Sequence, residues 1–159
     1  MLLWYVGVSV VAVHVVFRST GLDYQLVAVG ALGPLLVDLP FGHMAYGHTL
    51  LVAVGLLAVV MLATIGRPRL LRRRLLCLPI GVMAGLLLSG AFLHDQVILW
   101  PFVGDGFGDV ALIPALTPLV LAEGIGLACC GWAWGRFGLG ERARRSEFLR
   151  TGRLVEVSR

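Results

Sequence analysis

The chain has 159 residues, of which 58% are hydrophobic and 14% charged, with a mean hydropathy of +0.92 and a net charge of +4. Water-soluble domains run near half apolar and about a quarter charged, so this composition excludes a soluble enzyme, a disordered tail and a nucleic-acid-binding arm, and makes a lipid bilayer the expected solvent. All 13 basic residues are arginine. Cys77, Cys129 and Cys130 lie in apolar runs with neither disulfide nor thiolate-knuckle spacing, and read as packing residues.

Five apolar runs follow one another. The first, residues 2–17, is broken only by His14 and reaches about 24 Å as a helix. No basic segment precedes it and no small-residue cleavage site precedes Arg18, so it reads as a mature helix rather than a signal peptide. The second, from about Tyr24 to Leu39, stops at Pro40, which lacks a backbone donor and disfavours helix in the residue before it. The third covers about Met44 to Ile65, the fourth about Leu75 to Trp100, and the fifth about Val110 to Gly135. A glycine-rich acidic loop separates the last two, and an arginine-rich tail, residues 136–159, follows. The expected fold is all-α, with a five-helix transmembrane domain over 1–135.

Topology follows from where the arginines fall, because they are retained on the cytoplasmic side. Arg18 follows the first run, five arginines lie between the third and fourth, and seven lie in the tail. With five spans all three places share one side, so the N-terminus is outside and the tail is in the cytoplasm. The inner side then carries 13 arginines against Asp23, Glu141, Glu147 and Glu156, for +9, and the outer ends carry Asp38, Asp95, Asp105 and Asp109, for −4. The arginines suit anionic lipid headgroups, and the tail, with Phe148, Leu149, Leu154 and Val155 among its arginines, suits a membrane surface. No pattern for base contact accompanies them, so nucleic acid is not an expected partner. Trp4, Tyr5 and Trp100 are placed as outer interfacial anchors, and Trp132 and Trp134 as inner ones.

Histidines and acids cluster at the outer ends. Asp38 ends the second run, His43 is in the turn, His48 opens the third, and His94 with Asp95 sits near the end of the fourth. Imidazole and carboxylate together are the donors of zinc or manganese, and three ligands plus a water make a hydrolytic centre. A hairpin of the second and third helices brings Asp38 to His48. On one continuous helix His43 and His48 point about 140° apart, so His43 contributes only from the turn. The alternative is a set of wet interfacial side chains with no ligand.

The segments GALGPLLVDLP (30–40), GHTLL (47–51) and LPIGVMAGLLLSGAFLHDQVILWPFVG (78–104) resemble the membrane-bound metal-dependent hydrolase family, whose best-known members are LexA-regulated inner-membrane proteins. The likeness covers about residues 15–104. It implies a bacterial-type cytoplasmic membrane, a divalent metal and hydrolytic chemistry. The family's metal-binding groups are a Pro-Asp followed by another Asp, a His before Thr or Ser, and a later His-x-x-x-Asp. Here the Pro-Asp falls on Pro34 and Leu35, the second Asp on Asp38, the His on His48, and the His-x-x-x-Asp on Gly85 and Ser89. Asp38 and His48 are therefore retained and the other ligands are absent. Gly81, Gly85 and Ser89 instead recur at four-residue steps, a small-residue stripe that lets a helix approach closely in lipid.

Within the bilayer, Glu123 near the middle of the fifth run must be neutral, paired or facing a cavity. Small residues around it (Ala122, Gly126, Cys130, with Gly124 and Ala128 as a second row) turn it toward protein. His14 reads as a hydrogen-bonded packing residue, since no matched axial partner or haem motif accompanies it. Three functions are consistent with these residues. One is a hydrolase whose metal site is degenerate or has moved outward, on Asp38 and His48 with His43, His94 or Asp95. The second is a pseudoenzyme or non-catalytic subunit whose stripes pack against partner helices. The third, a small transporter using Glu123, is disfavoured by the lack of an internal repeat.

Overall fold

Asp23 opens the central helix. Its carboxylate accepts from the amides of Gln25 and Leu26 at 3.1 and 3.2 Å, filling two of the orphan donors at a helix start. The computed structural model describes residues 1–19, 21–103, 106–107 and 109–154. Asp105, Val155 and Glu156, named above, lie outside them. The described chain is all-α, with no β-strand. Its helices are α1 (Trp4–Phe17, opening in a π turn), α2 (Tyr24–Asp38), α3 (Leu50–Ala63), α4 (Arg69–Leu75), α5 (Cys77–Ser89), α6 (Asp95–Ile98), α7 (Leu116–Arg136) and α8 (Arg142–Thr151).

Among the described residues, two stretches are long and apolar enough to cross a membrane, Tyr24–Phe41 and Leu116–Arg136, while Trp4–Phe17 and Leu50–Ala63 are shorter. The outward faces of α3 and α7 are apolar: Val59, Leu62, Leu116, Val120, Leu121 and Leu127 are all exposed.

α2 lies at the centre, and its closest neighbour is α5. Their crossing has no side chains between the backbones. A Cβ on Gly81 would strike the carbonyl of Val27, one on Gly85 the carbonyl of Ala31, and one on Gly30 the carbonyl of Leu78. The stripe of Gly81 and Gly85 is thus filled by a helix of this same chain. Ser89 turns back on its own helix, donating to the Leu86 carbonyl at 2.9 Å. The second glycine crossing joins α1 to α7, where Gly7 meets Gly126 backbone to backbone. Gly124 and Ala128, on another side of α7, are exposed.

The fourth apolar run is not one helix. Gly90 adopts φ +74 and ends α5, a left-handed C-terminal stop that suits glycine. A short turn and α6 follow. The fifth run likewise becomes helical only at Leu116, because Val110–Leu112 runs alongside the turn after α2: Met44 N–H donates to the Val110 carbonyl at 2.9 Å, and His43 pairs with Ala111 in a single antiparallel bridge.

The core has two parts. The part below the turn between α2 and α3 gathers Tyr5, Leu35, Met44, Leu86, Val97 and Ile98, among others. Tyr5 is buried there, so it does not stand as an interfacial anchor, while the partly buried Trp4 donates from its indole to the Leu88 carbonyl at 3.0 Å. The part near the start of α2 includes Tyr24, Val27, Cys77, Ala133, Phe137 and Leu154. Phe137 and Leu154 belong to the tail, whose α8 docks on the start of α2: Gln25 donates from its side chain to the carbonyls of Phe148 and Leu149, and Tyr24 N–H to that of Gly152.

Candidate functional site

The site around Asp38 and His48 is built by the chain's reversal between α2 and α3. Pro40 stops α2 after Asp38, Gly42 turns the chain at φ +73, and Tyr46–His48 forms a 3-10 turn. Thr49 then caps α3, its hydroxyl accepting from Val52 N–H at 3.4 Å. The turn folds back over the end of α2. Gly47 is what allows this, because a Cβ there would sit 2.6 Å from the Pro34 carbonyl and 3.0 Å from an Asp38 oxygen.

Asp38 is the hub of this turn. Its Oδ2 accepts from Ala45 N–H at 2.6 Å and from His48 Nδ1 at 2.7 Å, and its Oδ1 accepts from Gly47 N–H at 2.7 Å. Both Asp38 and His48 are 0% exposed. A carboxylate only accepts, so the proton of a neutral His48 is on Nδ1 and the lone pair is on Nε2. Nε2 is buried and has no hydrogen-bond partner, an arrangement that leaves about 1–3 kcal/mol of desolvation uncompensated. A histidine fixed through one nitrogen by a carboxylate, with the other nitrogen bare, is how proteins set an imidazole for ligation or proton transfer.

The other histidines and acids expected at this end do not join the pair. His43 is half-buried and directs Nδ1 to the Met44 carbonyl at 3.1 Å, with its ring against Phe41. His94 and Asp95 are exposed at the start of α6, where Asp95 accepts from Gln96 N–H. Among the described residues no three His, Cys, Asp or Glu side chains form a group able to hold a metal ion. Asp38 also differs from a ligand in its use. Its oxygens are taken up by two amides and the imidazole, which makes it the group that orients His48 rather than a second donor beside it.

Away from the turn, Glu123 lies in the second turn of α7 and meets the start of α1, pairing with the Met1 amino group and accepting from Leu3 N–H at 3.2 Å. His14 is buried, with Nδ1 3.3 Å from the Tyr24 hydroxyl and its ring edge-on to Phe137. One feature escapes a motif search: Tyr46 packs edge-on against Trp100 and Phe107 at centroid distances of 5.3 and 4.7 Å, beside the turn. Its residues come from three separate segments, and the only signal in the sequence is the aromatic content of those segments. No protein-family model, curated protein or solved structure matches this chain.

Proposed function

We propose that this chain is a membrane-bound, hydrolase-like protein of five spans whose metal centre is degenerate, with its N-terminus outside and its tail in the cytoplasm of a bacterial-type cytoplasmic membrane. The span count draws on the five apolar helices α1, α2, α3, α5 and α7 and on exposed apolar faces that water would not tolerate over this area. The orientation draws on the arginines, which gather at one end.

The observation that carries the degenerate centre is the contact of Gly85 with Ala31. Where the resemblance implies a histidine, α5 lies against the backbone of α2 with no room for a Cβ. A resident divalent ion needs about three protein ligands, and the donor set here is one bare nitrogen beside a carboxylate already accepting three hydrogen bonds. These residues do not fit a resident metal. The Asp38–His48 pair then serves as a buried polar clasp that fixes the turn between α2 and α3.

The test is the metal content of the purified protein, measured beside an Asp38→Ala, His48→Ala double variant after both have been reconstituted with zinc and with manganese. The expected result is no stoichiometric metal in either. About one ion per chain in the parent, lost in the variant, would replace this proposal with a relocated metal-dependent hydrolase.

The bare Nε2 favours a second reading, in which His48 is a general base oriented by Asp38 and acts without metal. Chelator-resistant ester hydrolysis that vanishes in His48→Gln supports it, and hydrolysis indifferent to that change removes it.

A further inference from the structure

At the opposite end of the bundle from the Asp38–His48 turn, the docking of α8 walls one side of a cavity, which is open to the surface. It has a volume of about 660 Å³ and is lined by Arg73 and Arg74 from α4, Arg150 and Arg153 at the end of α8, and Asp23 at the start of α2. Four guanidinium groups thus face one carboxylate, leaving an excess of three positive charges in one concavity. Asp23 is itself committed. It caps α2 and takes a hydrogen bond from Arg74 Nε at 2.6 Å. Arg73 is held in place by a 2.7 Å bond from Nη2 to the Ser19 hydroxyl.

The arginines do not gather merely because the tail is basic. Gly152, at φ +69, lies directly against the Asp23 carboxylate, where any Cβ would collide with it. Its carbonyl accepts from Tyr24 N–H at 2.8 Å, and Leu154 beyond it is buried in the core with Tyr24 and Phe137. These contacts fix the chain on both sides of Arg150 and Arg153 and aim that segment at Arg73 and Arg74. Other arginines of the same helix, Arg142 and Arg145, do not line the cavity.

We propose that this cavity is a binding site for a phosphate-bearing anion, assembled from α4 and the docked α8. Planar guanidinium groups bind phosphate oxygens in pairs, with charge-assisted bonds that a lone lysine ammonium does not match. The volume exceeds a single phosphate and admits a headgroup. One rim is apolar, formed by Pro68, Leu70 and Leu71, with Leu70 71% exposed. An anionic lipid would lay its glycerol and first methylenes along that rim with its phosphate among the arginines, and a soluble phosphate ester would use the arginines alone. The site is independent of the chemistry at His48.

The full-length protein in neutral phosphatidylcholine nanodiscs is titrated with short-chain phosphatidic acid and, separately, with inorganic pyrophosphate. Binding to the parent is compared with Arg150→Gln, Arg153→Gln and with Arg142→Gln, Arg145→Gln, which removes the same charge from the same helix. The expected result is a loss of at least about tenfold in affinity in the first pair and little change in the second. Arg73→Gln, which leaves α8 untouched, is expected to weaken binding in the same sense. Phosphatidic acid that binds much more tightly than pyrophosphate identifies a lipid headgroup as the source, and equal binding identifies a soluble phosphate; both uphold the site. Equal losses in the two double variants, or no saturable binding by either anion, would overturn it, because diffuse surface charge would then explain any attraction.

Discussion

Gly30 of α2 and Gly81 of α5 face each other so closely that a Cβ added at Gly81 would lie 2.9 Å from the Gly30 Cα, and one added at Gly30 would lie 3.0 Å from the Gly81 Cα. Close backbone approach is how helices gain packing energy in lipid, where the apolar driving force between them is absent. The obstacles at this crossing are backbone atoms, which cannot swing aside as a flexible side chain does. Gly81→Leu is therefore expected to cost about 3 kcal/mol or more by overpacking, seen as a lower thermal midpoint and poor recovery from the membrane. Gly55, with open space around it, is the control, and Gly55→Ala is expected to leave the midpoint unchanged or raise it slightly.

Asp38 and His48 are not equivalent partners. Asp38→Asn replaces an acceptor of three donors by a group whose amide meets N–H groups, and a buried polar loss of that kind costs about 2–3 kcal/mol. His48→Gln removes an imidazole whose Nε2 is already without a partner and leaves the two backbone amides on Asp38. The destabilisation by Asp38→Asn is expected to exceed that by His48→Gln in denaturant or thermal unfolding of the detergent-solubilised protein. The reverse order would mean that His48 rather than Asp38 organises the turn.

These two cases show where the sequence was legible. Periodic small residues and the proline and glycine stops mark helices and close crossings locally, so the all-α class, the glycine stripe and the end of α2 at Pro40 could be read directly. Whether Gly81 and Gly85 met a partner protein or α2 of the same chain depends on tertiary assembly, and α2 occupies them. Asp38 and His48 could be paired because a tight turn forces the hairpin. Their bond to each other could not be foreseen, since it rests on Gly47 letting the turn fold back onto the Pro34 carbonyl. The break after α5 had a signal in Gly90 and the polar His94-Asp95-Gln96, and the late start of α7 had one in Pro114 and Pro118, but high hydropathy on either side, which distinguishes poorly between a helix and an apolar connection, left both runs drawn as single spans.

Glu123, for which the sequence left a neutral, a paired and a cavity-facing carboxyl open, is bound to the first turn of α1, and its side chain is 28% exposed. It supplies an acceptor to an orphan helix amide, as a capping residue does. Glu123→Gln keeps an acceptor for Leu3 N–H and loses only a partly exposed charge pair, so a cost below about 1 kcal/mol is expected. Glu123→Ala loses both and is expected to cost about 1–2 kcal/mol. Equal costs for the two variants would assign the effect to charge rather than to the helix start.

The proposed five-span arrangement would put the α6 region and the tail on opposite sides of the membrane. Phe102 is 82% exposed just beyond α6, and Ser146 is exposed on α8. In a background with Cys77, Cys129 and Cys130 replaced by alanine, Phe102→Cys is expected to react with an impermeant maleimide added to spheroplasts, and Ser146→Cys only after lysis. Even span numbers would place both positions differently relative to the arginines, so labelling of Ser146→Cys in intact spheroplasts would reject this topology. The same experiment bears on the arginine cavity, because a tail found outside would meet a leaflet poor in anionic lipid and leave a soluble phosphate as its only source of ligand.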